Sequence, residues 1–334
     1  MRVVVTGATG NVGTSVVERL AADPAIERIV GIARRPPAWS VPNVEWVQAD
    51  VGVDDLVPSF RGADAVVHLA WLIQPSHDAR ALWATNVVGS RRVADAVVAA
   101  EVPALVAASS VGAYSPVPPG TTVDESWPTD GVPESSYSWQ KALLERTLDG
   151  LAERQPACRV VRVRPALIFK REAARGIREL FVGPFVPLRR LPVGIVEAAL
   201  HRSPIAFQCV HTDDVAAAIH RSITSTVTGA FNLAASGVIG TARASGPALV
   251  RAVRPGLGGA WRARLVPIDP GWLTLASSVP LLSSARAEAE LGWRPSAPAA
   301  DVLRELLEGF HDDAHFATPP LREGPPHEGL TPTG

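Results

Sequence analysis

A glycine pattern at the start of the chain constrains its fold more than any other feature. Arg2-Val3-Val4-Val5-Thr6 reads as a short apolar strand, and Gly7-Ala8-Thr9-Gly10-Asn11-Val12-Gly13 follows it directly, ahead of a helical stretch from Ser15 to Ala22. Glycines at 7, 10 and 13 permit a tight turn, close approach of backbone to a pyrophosphate, and close packing of helix on strand. The helix N-terminus supplies unpaired N–H groups and a positive dipole end for the phosphates. The spacing Gly-x-x-Gly-x-x-Gly departs from the more general Gly-x-Gly-x-x-Gly, but strand, turn and helix stand in the order a dinucleotide needs.

Apolar strands at 3–6, 29–33, 44–48, 65–69, 104–109 and 159–164 alternate with helical stretches. That alternation predicts an α/β, Rossmann-type, doubly wound parallel sheet, with its ligand at the carboxyl ends of the strands. A chain of 334 residues, 47% apolar, is long enough for one large unit or two modest ones. We expect a dinucleotide-binding part over 1–166 and a smaller substrate-binding part over 167–316, where prolines 184, 187, 192 and 204 break any long helix and the chain returns at intervals to the sheet. The Pro/Gly/Thr-rich segment 317–334 is expected to be a disordered tail.

The second strand ends at Ala33, about twenty residues past Gly13, where an NAD-binding chain usually offers an acid to the adenosine ribose. Arg34 and Arg35 follow and are suited to receive a 2′-phosphate, so NADP(H) is favoured and NAD(H) remains open, since arginines are abundant throughout. Asp50, after the third strand, is placed either to accept from the adenine amino group or to serve as a turn residue.

Tyr137 and Lys141 stand four residues apart in a chain with two tyrosines. Of its 32 basic residues, Lys141 and Lys170 alone are lysine, so Lys141 is expected to do something arginine cannot. On a helix the two side chains share a face. A fixed ammonium beside a phenol favours the phenolate and makes the phenol a useful acid or base.

With these pieces the sequence resembles the extended short-chain dehydrogenase/reductase family, which includes nucleotide-sugar epimerases and dehydratases. The resemblance spans residues 1 to about 310 and is carried further by His68-Leu69-Ala70, Asn86-Val87-Val88-Gly89-Ser90, Ser109-Ser110-Val111-Gly112-Ala113-Tyr114, Arg164-Pro165-Ala166, Val210-His211-Thr212-Asp213-Asp214-Val215 and Gly292-Trp293-Arg294-Pro295. It implies an enzyme with Ser110, Tyr137 and Lys141 as its catalytic residues, Ser110 rather than Ser109 because the family's serine lies four residues before Tyr114. It implies cofactor contacts from Gly7, Thr9, Gly10, Asn11 and Val12, from Arg34, Arg35, Asp50 and Val51, and from Leu69, Ala70, Tyr137, Lys141 and Pro165. Asn86 and His211 are expected to act structurally.

Three departures stand out. Gln140 replaces the usual serine or threonine before the lysine, Phe207 stands where sugar-nucleotide enzymes place a diphosphate-binding arginine, and Phe169-Lys170 replaces a Tyr-Gly-Pro turn. An unpaired diphosphate would be costly to bury, so the expected substrate is smaller or more apolar. Trp71, Trp127 and Trp139 lie near the site-forming segments and are candidates to line its pocket.

A net charge of −1 without a basic run argues against nucleic acid. No apolar run approaches 18 residues, and Met1 leads straight into the first strand, so a cytoplasmic protein without membrane contact is expected. Cys158 and Cys209 read as buried thiols, and His311 and His315 as solvated side chains rather than a metal site. The expected function is an NADP-dependent carbonyl reductase or alcohol dehydrogenase, with a homodimer as the candidate assembly; the alternatives are an epimerase or dehydratase that retains its nicotinamide, and a non-catalytic nucleotide sensor.

Overall fold

The computed structural model describes residues 1–73, 77–182 and 190–322. Chain order gives β1 (Arg2–Thr6), β2 (Arg28–Ala33), β3 (Val44–Gln48), β4 (Ala65–His68), β5 (Ala104–Ala108), β6 (Thr122–Val123), β7 (Arg159–Pro165), β8 (Leu167–Phe169), β9 (Cys209–His211), β10 (Gly229–Leu233) and β11 (Leu281–Leu282). Seven of these form one sheet in the order β10-β7-β5-β4-β1-β2-β3, and every pairing in it is parallel. The chain runs outward from β1 through β2 to β3, then crosses to β4 on the other side of β1. Thr6 pairs with Ile32 on one side and His68 on the other, so the switch point opens at the carboxyl ends of β1 and β4.

Helices cover both faces because the central strands bury both sets of side chains. Val3 and Val5 pack with Val16, Val17 and Leu20 of the helix Asn11–Ala21 and with Val215 and Ile219 of the helix Thr212–Thr224. Val4, between them in sequence, points the other way, towards Val93 and Val97 of Ser90–Ala99 and Leu144, Leu148 and Leu151 of Ser136–Arg154. Gly31 in β2 has a packing reason: a Cβ there would lie 2.5 Å from the Trp46 ring.

β10 is the strand of the seven-stranded sheet that sequence patterning does not reveal. It enters from a positive φ at Gly229, is five residues long, and pairs with β7 as an edge of the main sheet. A third apolar cluster holds the C-terminal part together around Cys209, Ile239, Val302, Leu306 and Phe310. Two sequence motifs there turn out to brace each other. The buried Trp293 indole N–H donates to Asp214 O at 2.7 Å, and the Asp214 carboxylate accepts from the Ser296 N–H and hydroxyl. His211 caps the helix Thr212–Thr224, its Nδ1 accepting from the Asp213 N–H at 3.2 Å. Cys158 and Cys209 are both buried free thiols.

The tail expected to be disordered from 317 is instead docked as far as 322. Phe316 packs edge-on against Trp39, the buried Thr318 hydroxyl donates to Thr9 O at 2.8 Å, and Pro319–Arg322 forms a helical turn with Leu321 buried. Composition misled here because three side chains anchor a Pro-rich segment whose average polarity says nothing of where they land. Residues 323–334, and prolines 184 and 187, lie outside the described residues. No helix among the described residues is long and apolar enough to cross a membrane.

Candidate active site

The glycine turn joins β1 to its helix with little room to spare. Gly7 has φ +70°, and a Cβ on it would lie 2.6 Å from Ala70 N and 2.8 Å from Leu69 C. A Cβ on Gly13 would lie 2.2 Å from Gly7 O, so residue 13 must be glycine for the helix to start this close to the strand. The helix begins at Asn11, earlier than the sequence pattern indicates, with extended Gly10 as its cap and no side chain capping its first N–H groups. Those N–H groups make a cradle suited to an anionic group. Asn11 holds the cradle from beside it, donating to Ile168 O and accepting from the Thr212 hydroxyl. Val12 packs onto the apolar cluster below, and Thr9 is buried under the docked C-terminal segment.

The ends of β2, β3 and β4 lie alongside this turn. Arg34 and Arg35 follow β2 and are both exposed. Asp50, beyond β3, accepts from the Gly52 N–H at 2.8 Å through Oδ1, so at least one carboxylate oxygen serves the turn. Val51 is buried, 2.8 Å from where a Cβ on Gly89 would stand. Leu69 donates to Thr6 O and Ala70 to the Thr6 hydroxyl, which fixes the strand end beside Gly7. Pro165 ends β7 opposite Leu233, further along the same edge.

Ser110, Tyr137 and Lys141 gather beyond β5. The helix Ser136–Arg154 carries Tyr137 and Lys141 on one face, and Ser135 caps it by accepting from the Ser138 N–H. Ser138 then ties helix to strand-end turn, its hydroxyl donating to Gly112 O at 2.5 Å and accepting from the Val132 N–H at 2.7 Å. Ser110 Oγ accepts from the Gly112 N–H at 3.0 Å. A Cβ on Gly112 would lie 2.8 Å from Tyr137 Cε1, so glycine is what lets the tyrosine ring close on Ser110.

Burial raises the Tyr137 phenol to about 12, against the opposing pull of a hydrogen bond with Ser110. Burial also brings the Lys141 ammonium down to about 7, with the charge of Glu145 acting the other way. The lysine is not aimed at the phenol. Its Nζ donates to Ala108 O at 2.8 Å, stands 3.5 Å from the centre of the Trp71 ring, and is 5.9 Å from the centre of the Tyr137 ring. Desolvation, rather than the ammonium, therefore sets the phenol's acidity here.

Aromatic rings surround the tyrosine. Trp272 lies 4.6 Å from it at a tilt, Trp71 meets it edge-on at 6.1 Å, and Phe181 stands edge-on to Trp272. Trp139 instead meets Trp83 at a tilt, on a separate part of the helix surface, and Trp127 is exposed with its indole N–H donating to Ser115 O. Trp272 was not foreseeable from its position in the chain: it arrives from far downstream, on Gly271–Ala276, whose Gly271 packs so closely that a Cβ would lie 2.3 Å from Glu134 O.

The other tyrosine and lysine have structural partners. Tyr114 is fully buried, donates to Asn232 Oδ1 and accepts from Arg164, which is bound to Glu145. Lys170 is buried against the hydroxyls of Thr14 and Ser15. Phe207 packs in the third apolar cluster.

The model of the NAD dependent epimerase/dehydratase family matches residues 3–234, which take in both the glycine cradle and the Tyr137 cluster. The chain belongs to that family. Among curated proteins it is 36% identical over 110 residues to an L-arabinose 1-dehydrogenase (NAD(P)(+)) of Haloferax volcanii, covering 33% of this chain and 41% of the relative. It is 30% identical over 129 residues to a putative dihydroflavonol 4-reductase of Synechocystis, covering 37% of this chain and 36% of the relative. The chain thus spans less than half the length of either relative.

Solved structures extend the likeness of fold over 94% of the chain. A short-chain dehydrogenase/reductase superfamily protein from Agrobacterium tumefaciens with bound NAD is 23% identical, with a TM-score of 0.67 and 98% of its own chain covered. A dTDP-glucose 4,6-dehydratase from Streptomyces venezuelae with NAD bound is 21% identical, with a TM-score of 0.65 and again 98% of its chain covered. The residues of this family member fit a dinucleotide on their own evidence, since the Gly7–Gly13 turn leaves an uncapped helix start where side chains would otherwise crowd it.

Proposed function

We propose that this family member is an NADP-preferring oxidoreductase that interconverts a carbonyl and an alcohol on a small or apolar metabolite. The observation that carries the reading is the apolar surround of the one half-buried tyrosine: Trp272 and Trp71 flank the Tyr137 phenol, and Ser110 is its hydrogen-bonding neighbour. Such a wall suits an uncharged substrate better than a sugar diphosphate, and Phe207, packed in the third apolar cluster, is no cation to pair with one.

The N–H groups from Gly10 to Val12 would hold the cofactor's pyrophosphate, with Arg34 and Arg35 at an adenosine 2′-phosphate, and Leu69, Ala70 and Pro165 along its length. When bound, the nicotinamide supplies or takes up a hydride. Ser110 holds the substrate's carbonyl oxygen through its hydroxyl. Tyr137, a phenol neutral at physiological pH and raised by burial to about 12, gives that oxygen a proton in the reducing direction and takes it back in the other. Lys141, whose ammonium nitrogen stands 5.9 Å from the centre of the phenol ring, would hold the nicotinamide ribose.

The test uses added NADPH and NADH with a panel of small aldehydes and ketones. A net redox enzyme consumes nucleotide with each turnover, and NADPH should bind more tightly than NADH by a margin largely erased when Arg34 and Arg35 are both replaced by alanine. An epimerase or dehydratase with a retained nicotinamide gives no net absorbance change, and that result, or equal affinity for the two nucleotides, overturns the corresponding part of the reading.

A further inference from the structure

Lys141 is buried, and among the described residues no carboxylate stands within ion-pair distance of its nitrogen. None of the ion pairs among the described residues includes it. Glu145, one helical turn on, is the natural partner by spacing, but Arg164 takes both its oxygens, Nε to Oε1 at 2.9 Å and a terminal nitrogen to Oε2 at 3.0 Å, and Arg162 adds a third contact. His68, facing from β4, is neutral: burial pushes it down to about 3, and Thr6 and Ser90 occupy its two ring nitrogens. The Tyr137 phenol is neutral as well. What remains is one carbonyl, Ala108 O, and the face of Trp71, whose ring centre lies 3.5 Å from Nζ. A desolvated cation on the face of an indole is the strongest arrangement of its kind.

We propose that Trp71 is a positioning residue for the Tyr137–Lys141 pair, its indole face holding the Lys141 ammonium against β5 in place of a counter-ion. The ring touches both members of the pair, since its edge also packs on Tyr137 at 6.1 Å. Its own placement is fastened to the lysine helix by a single side chain. Asn86 clamps the next residue, Leu72, accepting from its N–H at 2.7 Å and donating to its carbonyl at 2.8 Å, and donates again to Gln140 Oε1 at 2.8 Å. Gln140 immediately precedes Lys141, so the loop bearing the indole and the helix bearing the ammonium move together. This gives a reason for Gln140 where a shorter side chain is usual: serine or threonine would not reach Asn86.

The importance of the contact for turnover rests on the proposed catalytic role of the pair, but the contact can be measured without turnover. The chain has two lysines, so protein labelled with 13C at lysine Cε gives two resolvable signals, with Lys170 as internal control. In the free protein the Lys141 ε-protons should be displaced upfield by the indole ring. Trp71→Leu should abolish that displacement and lower the Lys141 titration midpoint by about one pH unit, while Trp71→Phe keeps part of both and Lys170 does not move. Circular dichroism melts confirm that each variant is folded. Lys141 signals without upfield displacement in the unaltered protein, or an unchanged Lys141 titration in folded Trp71→Leu, overturn the proposal. If these shifts occur while Tyr137→Phe still turns over, the catalytic reading falls and the placement of the ammonium stands.

Discussion

Substitution of single atoms at the site separates charge from geometry. Tyr137→Phe removes the hydroxyl and keeps the ring that packs against Trp71 and Trp272, so turnover should vanish while nucleotide affinity stays near that of the unaltered protein. Lys141→Arg keeps the charge but should also fail, because a planar guanidinium cannot occupy the pocket between Ala108 O and the Trp71 face. Ser110→Ala should be milder, slowing turnover by the roughly 2.7 to 4 kcal/mol that one oriented donor contributes to transition-state stabilisation. Steady-state rates and nucleotide titrations of the three variants check this, and an unimpaired Tyr137→Phe would falsify the acid role. Tyr114 and Lys170 show why the spacing Tyr137/Lys141, rather than residue type alone, carried the sequence reading. Equally rare in the chain, each is buried in a structural network elsewhere.

Elements meet at the site through close approaches that demand glycine. The turn Val111–Ala113 and the helix Ser136–Arg154 touch where Gly112 faces Tyr137, and Ser138 clamps the same turn by donating to Gly112 O. Gly112→Ala would place a methyl group 2.8 Å from Tyr137 Cε1 and 3.4 Å from Ser110 Oγ. The ring is backed by Trp272 and cannot retreat freely, so overpacking should cost about 1 to 3 kcal/mol. We expect turnover to fall at least tenfold in a protein that still folds and melts a few degrees lower, measured by rate assay beside calorimetry. Full activity in Gly112→Ala would mean that the ring has slack. The sequence motif located Ser110 and Tyr114 in this segment, whereas the role of its glycine became visible once the helix was in place against it.

For the whole molecule, burying an unpaired ammonium ties stability to pH. Burial lowers Lys141 to about 7 in the folded state, well below the usual lysine value that the unfolded chain keeps. Between those values the unfolded chain binds more protons, so stability rises with pH through that window, and the cost of burying the charge is fully present below it. Comparison with Lys141→Met isolates the effect from Cys158, Cys209 and the tyrosines. From pH 7 to 8.5, the urea unfolding free energy of the unaltered protein should gain about 1 to 2 kcal/mol relative to the variant. Parallel curves would show that the ammonium is better solvated than its surroundings imply.

Local chemistry made the fold and the shared helix face of Tyr137 and Lys141 legible in the sequence. A strand, three glycines and a helix start can join in few ways, alternating apolar strands dictate a parallel sheet covered on both faces, and a tyrosine four residues from a lysine shares its helix face. Contacts between distant segments were decided by the tertiary structure. β10 joins the sheet from beyond the expected boundary, Thr318 docks on Thr9, Trp272 lies on Tyr137, and Arg164 takes the carboxylate of Glu145 that spacing alone would assign to Lys141. Sequence period reports which face a side chain occupies within its own element, but the partner on that face depends on the path of the rest of the chain.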